Sequence, residues 1–174
     1  RKCGFSKIVL GLSGGIDSAV VACLAVDALG KENVTALSMP SDFSSEHSKK
    51  DAQELASNLG IEIYKVPISA VFNQLLLELE AVFGKKRFGI TEENIQPRIR
   101  GTMLMAASNR FENLLLNTGN KSEIAVGYST LYGDMCGALS PLGDIYKTQV
   151  YKLAEYINKD KNVIPENIIK KAPS

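Results

Sequence analysis

The sequence predicts an α/β fold, a parallel sheet with helices packed on both faces. Three observations predict it. Short aliphatic runs alternate with longer amphipathic runs along most of the chain. Two of the short runs end at proline and three of the longer ones at glycine, residues that punctuate secondary structure. The 174 residues, 45% hydrophobic and 22% charged, suffice for one domain with a buried core, residues 1–174. Strand–helix alternation implies parallel strands joined by crossover helices.

The elements follow in order. Residues 7–12 (Lys-Ile-Val-Leu-Gly-Leu) read as a buried strand. Residues 18–29 read as a helix, with Gly30 placed for a left-handed cap. Residues 34–39 form a second strand, ended by Pro40. Residues 48–59 form a helix with a Ser48-x-x-Asp51 start and a Gly60 stop. Residues 61–66 are a third strand before Pro67, and residues 69–83 a helix before Gly84. A basic loop, Lys85-Lys86-Arg87, leads to a helical run over 91–109. Pro97 inside that run kinks the helix or marks its true start, because proline has no N–H to donate. Residues 114–117 are a fourth strand and 121–126 a short helix. The Gly- and Tyr-rich stretch 127–144 reads as loop. Asp144 is placed to cap a helix running to Ile157, and Pro165 opens a last short helix. The arrangement is Rossmann-like. Such sheets bind ligands beyond the carboxyl ends of their strands, here the turns after Leu12, Met39 and Asn117.

Composition narrows the function. A formal net charge of +1 supplies no general attraction to nucleic acid or anionic membrane. No apolar run approaches the roughly 18–20 residues that span a bilayer, and no signal peptide is evident. Cys3, Cys23 and Cys136 form no metal-binding pattern and read as free thiols of a reducing compartment, the cytoplasm. His47, the one histidine, lies in a polar stretch. A His-based triad or His ligand cluster is therefore not expected. The chain opens with Arg1 and stops at Ser174, which suggests an excerpt from a longer protein.

The chemistry is concentrated between strand one and helix one, in Ser13-Gly14-Gly15-Ile16-Asp17-Ser18. Adjacent glycines let consecutive N–H groups point into one concavity, and the following helix N-terminus adds partial positive charge. This suits a polyphosphate. The turn lacks the Gly-Lys-Ser/Thr of a Walker loop. Counted from Gly11, Ser13 and Ile16 stand where a dinucleotide fingerprint needs glycine. A tight turn with no ligand is the alternative. Asp17 beside phosphate would be repelled unless a cation lay between them. Mg²⁺ takes one or two carboxylates plus phosphate oxygens. Asp17 thus reads as a magnesium ligand, or else as a charge favouring the helix N-terminus. Glu123, in Thr118-Gly119-Asn120-Lys121-Ser122-Glu123, is the candidate second carboxylate, with the same helix-end alternative.

The Ser-Gly-Gly-x-Asp-Ser turn resembles the signature of the N-type ATP pyrophosphatases, which cleave ATP between its α and β phosphates. Further segments are similar to NAD synthetase: Gly11 to Ser18, Glu93 to Gly101, Thr118 to Glu123, Gly127 to Asp134 and Gly143 to Thr148. The resemblance spans nearly the whole chain. It implies an adenine nucleotide α-hydrolase-like fold. It also implies adenylation of the nicotinate carboxylate of deamido-NAD by ATP, loss of pyrophosphate, and attack by ammonia to give NAD and AMP. Carried onto this sequence, it implies that Gly11, Leu12, Ser13, Gly14, Gly15, Ile16, Asp17 and Ser18 bind ATP. Thr118, Lys147 and Ser174 would contact ATP, and Ser38 and Met39 would lie along adenosine. Asn94, Arg98 and Glu123 would face deamido-NAD. Asp17 and Glu123 would hold Mg²⁺, and Asp134 would sit near the amidation centre. Asp17, Glu123, Asp134 and Lys147 form the implied catalytic set.

Leu131 and Ala138 stand where ammonia-dependent members carry lysine and aspartate. The wording around residues 130–135 and Asn94 is closer to the glutamine-dependent branch, whose members place a glutaminase domain upstream. A homodimer is also implied. Two rivals remain at this point: another pyrophosphatase of this type, GMP synthetase-like or tRNA-modifying, and a nucleotide-binding module without turnover.

Overall fold

The computed structural model describes residues 4–84 and 87–171. Cys3, Lys85, Lys86 and Ser174 lie outside the described residues. Four parallel strands, β1 (Ile8–Gly11), β2 (Val34–Ser38), β3 (Glu62–Lys65) and β4 (Leu114–Leu116), form one sheet in the order β3-β2-β1-β4. Ile8 pairs with both Val34 and Leu114, so β1 is central.

The seven described helices are α1 (Ile16–Leu29), α2 (Glu46–Leu59), α3 (Ser69–Phe83), α4 (Ile90–Phe111), α5 (Lys121–Val126), α6 (Lys147–Ile157) and α7 (Glu166–Lys170). Alternation along β1 sorts them into two layers. Ile8, Leu10 and Leu12 join a core with α1, α2, α6 and α7. Val9 joins Leu37, Leu115 and residues of α3 and α4 in a second core. Helix α1 is apolar on most of its surface up to Ala25 because α2, α6 and α7 pack around it, while Asp27 to Leu29 in its last turn are exposed. No helix among the described residues is long and apolar enough to cross a membrane.

The expected parallel sheet with helices on both faces is therefore present, with four local corrections. Helix α2 starts at Glu46, because the Ser45 side chain accepts from the Ser48 N–H and caps it; Ser48 and Asp51 lie inside. Asp144 does not cap α6. Tyr146 precedes the helix, and its N–H donates to the Gln149 side chain at 3.0 Å. Pro97 does not start α4, which begins at Ile90 after the Gly89 N–H donates to Glu92 at 2.8 Å. Ile95 and Ile99, buried on either side of Pro97, hold the helix against the sheet through it. Gly30 has φ +84° but ψ 147°, so its backbone runs on extended rather than entering the left-handed helical region.

The chain runs outward from β1 to β3, then returns to place β4 on the other side of β1. The carboxyl ends of β1 and β4 are thus the topological switch point, where a crevice opens in such sheets.

Candidate functional site

A cavity of about 510 Å³ opens at that switch point, within the range of ligand clefts. Its wall includes Ser13, Asp17, Thr118, Glu123, Asp134 and Lys147. The loop after β1 supplies the floor. Ser13 and Ser18 share a hydrogen bond between hydroxyls at 3.1 Å, the Ser13 N–H donates to Ser18 Oγ at 3.3 Å, and the Gly15 N–H donates to Ser13 Oγ at 3.1 Å. The loop closes on its own hydroxyls, which are acceptors that a phosphate oxygen can replace.

Gly14 has φ +81°, and a Cβ there would stand 2.2 Å from the Ser48 carbonyl oxygen of α2. Only glycine allows this approach. Gly15 is open by comparison, with only Ser13 Oγ near, at 3.3 Å.

Asp17, in the first turn of α1, and Glu123, in the first turn of α5, converge on one cation. Lys147 Nζ donates to Asp17 Oδ2 and lies 3.9 Å from Glu123 Oε1. A lysine in the first turn of a helix opposes the helix dipole, so the placement of Lys147 at the start of α6 is set by its acidic partners. Its backbone N–H donates to Ser122 Oγ at 3.0 Å, tying α6 to α5.

Asn120, fully buried, organises both carboxylates. Its Nδ2 donates to Asp17 Oδ1 at 2.9 Å and its Oδ1 accepts from the Glu123 N–H at 3.1 Å. Its own N–H donates to Glu123 Oε2 at 3.2 Å, completing a capping box. Burial raises the Glu123 carboxyl above its ordinary value, and neighbouring Asp17 and Asp134 push the same way. The Asn120 N–H and Lys147 oppose them. Perturbed carboxyls in clefts make candidates for functional sites.

The implied site residues divide into those that meet and those that do not. Ser13, Gly15, Ile16, Asp17, Ser18, Thr118, Glu123, Asp134 and Lys147 line the cavity. Ser38 and Met39 line a second hollow of about 250 Å³ that shares Ser13 with the first and also includes Leu12. Gly11 lies against Leu104 and Met39, outside both hollows. Asn94 and Arg98 stand behind the wall. The Thr130 hydroxyl donates to Asn94 Oδ1 at 2.8 Å, and Arg98 Nε donates to the Leu131 carbonyl at 3.2 Å. They brace the loop whose Tyr128, Ser129 and Asp134 face the cavity. The Asp134 carboxylate accepts from the Thr130 N–H at 2.8 Å. Ser174 lies outside the described residues.

Sequence reading missed four residues. Asn120 was signalled by the Asn-x-x-Glu spacing. Asn117 follows β4 directly; its Nδ2 donates to the Asp134 and Cys136 carbonyls and its Oδ1 accepts from the Gly119 N–H. Arg100 sits two residues past the chosen Arg98. Its Nε donates to the Met39 carbonyl at 3.0 Å in the second hollow, and burial lowers its pKa. Lys171 carried no local signal.

Gly-rich turn, switch-point cavity and paired carboxylates sit on an α/β domain of the N-type ATP pyrophosphatase fold. Residues 1–174 match the model of the NAD synthase family, and the chain belongs to that family. Among curated relatives, the glutamine-dependent NAD(+) synthetase of Synechocystis sp. is 53% identical over 174 residues, covering 100% of this chain and 31% of the relative. That of Aquifex aeolicus is 55% identical with the same coverage. The glutamine-dependent NAD+ synthetase of Acinetobacter baumannii in complex with ADP superposes with a TM-score of 0.94 at 47% identity, over 98% of this chain and 33% of that one. The chain thus spans about a third of the length of these relatives.

Proposed function

We propose that this chain carries out ATP-dependent amidation of deamido-NAD to NAD. ATP adenylates the nicotinate carboxylate and releases pyrophosphate; ammonia then attacks the acyl adenylate and AMP leaves. A bare carboxylate is a poor electrophile, whereas an acyl adenylate carries a good leaving group. The observation that carries the reading is the meeting of Asp17, Glu123 and Lys147 beside the Gly14-Gly15 loop, at the crevice between β1 and β4. A passive nucleotide binder has no need of paired carboxylates beside phosphate.

The residues divide the work. Ser13, Gly15 and Ser18 receive the phosphates, with Gly11, Leu12, Gly14 and Ile16 shaping the turn. Thr118 and Ser174 add contacts to ATP, and Ser38 and Met39 flank adenosine. Lys147 neutralises phosphate charge once ATP competes with Asp17 for its ammonium. Asn94, Arg98 and Glu123 serve the dinucleotide, Asn94 and Arg98 through the loop they brace. Asp134 lies on the wall near the amidation centre. Asp17 and Glu123 fit Mg²⁺, because two hard carboxylates already converge on one positive charge and phosphate oxygens would complete the shell. Bound Mg²⁺ supplies charge neutralisation across the phosphates. The rest of the catalysis is positioning.

The relatives' names support glutamine as the source of the ammonia, which a glutaminase domain upstream, as the resemblance implies, would release. A cytoplasmic setting suits the free thiols; burial pushes the Cys23 thiol up to about 12 and keeps it protonated. A homodimer is the assembly that the family resemblance supports. Sedimentation velocity tests it, and a monomer at working concentration removes that assignment.

The test of function is pyrophosphate release from ATP with deamido-NAD, compared with XMP and with tRNA. Turnover with deamido-NAD alone is expected. Asp17→Ala should lower it at least about a hundredfold. Turnover with XMP or tRNA instead, or full activity in Asp17→Ala, overturns the proposal.

A further inference from the structure

The phosphate loop is held from behind. Lys171 follows α7, and its Nζ donates to the Gly14 carbonyl at 3.0 Å and to Ser48 Oγ at 2.9 Å. The same ammonium lies 3.9 Å from Asp51 Oδ2. Asp51 sits inside α2 with its side chain only 8% exposed, and its Oδ2 also accepts from Asn167 Nδ2 of α7 at 2.8 Å. A buried carboxylate costs several kcal/mol unless paired, so Asp51 holds Lys171 in place. Lys171 in turn fixes one backbone carbonyl of the loop, that of the positive-φ glycine.

We propose that Lys171, anchored by Asp51, is a positioning residue for the phosphate loop. In a trans peptide the carbonyl and the following N–H point in opposite directions. Binding the Gly14 carbonyl to Lys171 therefore leaves the Gly15 N–H directed at Ser13 Oγ in the cavity wall. Without Lys171, that peptide can rotate and present a partial negative charge to the incoming phosphates. The Ser48 carbonyl occupies the space that a Cβ at Gly14 would need. Helix α2 thus packs close against the loop, and Lys171, just past α7, holds it by hydrogen bonding.

This inference rests on the reading of the site as an ATP site, and one set of measurements tests the two separately. ATP binding, the KM for ATP and kcat of pyrophosphate release are measured in the full-length protein for wild type, Lys171→Met, Asp51→Asn and the double variant, with thermal melts in parallel. Lys171→Met should raise the KM for ATP roughly tenfold or more, the usual size for a lost charge-assisted hydrogen bond. The KM for deamido-NAD should stay within twofold. Asp51→Asn, which keeps its amide partner and the fold, should raise the KM for ATP severalfold. The double variant should be no worse than Lys171→Met, because the two act as one unit.

An unchanged KM for ATP in Lys171→Met overturns the proposal. So does a lowered KM in Asp51→Asn, which would mean that Lys171 instead contacts phosphate directly and is restrained by Asp51. If Lys171→Met does not fold, Asp51→Asn and Ser48→Ala decide, and unaltered ATP affinity in both overturns it. Wild type that neither binds ATP nor releases pyrophosphate removes the ATP reading itself and the inference with it.

Discussion

Gly14→Ala and Gly15→Ala are conservative changes at adjacent positions, and the structure assigns them opposite outcomes. At Gly14 the new Cβ would lie 2.2 Å from the Ser48 carbonyl oxygen and 2.9 Å from its carbon, both backbone atoms of α2. Reaching ordinary van der Waals contact takes a movement of about 1 Å. Its φ of +81° adds a further cost of roughly 1–2 kcal/mol for an L residue. With overpacking at roughly 1–3 kcal/mol, destabilisation should total about 2–5 kcal/mol. For a domain of this size that is roughly 5–15 °C in melting temperature. A 1 Å displacement of the loop should also cost about a hundredfold in activity. At Gly15, φ is −95° and the Cβ would meet only Ser13 Oγ, at 3.3 Å. Gly15→Ala should therefore keep its melting temperature within about 3 °C, the loss being confined to phosphate binding. Thermal melts paired with ATP titrations measure both. Equal stability of the two variants, or a lower melting temperature for Gly15→Ala, would refute the packing argument.

Asn120→Ala removes the α5 cap and the Asp17 partner together. It should cost about 1 kcal/mol of stability through the cap and 10–100-fold in activity through the two carboxylates. Asn120→Asp keeps a capping oxygen but buries a second carboxylate against Asp17, so activity should fall and stability above pH 6 should fall further than in the alanine variant; steady-state kinetics beside urea unfolding measures both. The raised pKa of Glu123 sets a sign for pH dependence. In the window above its ordinary 4.5, the folded protein binds more protons at this site than the unfolded chain does, so stability declines as pH rises. Glu123→Gln should abolish that decline, giving a higher melting temperature at pH 7 with little turnover; parallel pH-dependent melts that superimpose on wild type would contradict this. Chelation of divalent cations should stop pyrophosphate release in wild type, and added Mg²⁺ should restore it within the same assay.

How much was legible varies with the range of the interaction. The loop 13–18 could be read directly, because strand, adjacent glycines and helix start are contiguous and each follows from local backbone preference. The bounds of β2 and α3 were close for the same reason. The α6 start was misplaced because Tyr146 and Gln149 form a cap from backbone N–H and side chain, which no standard cap residue announces. Asn120 was visible in its Asn-x-x-Glu spacing as a cap. Its second bond, to Asp17, spans 103 residues and left no trace in local pattern.

By itself the sequence determined a parallel α/β sheet, the Gly-Gly turn between β1 and α1, and the family, since these depend on periodicity and on short contiguous motifs. Tertiary structure alone decided that Lys147 stands between Asp17 and Glu123. It alone decided that Asn94 and Arg98 support the cavity wall from behind, and that Asp51 and Lys171 hold the Gly14 carbonyl. These contacts join residues that are distant in sequence and belong to different elements or loops. Their geometry is set by how the crossovers return β4 beside β1, which no local propensity encodes.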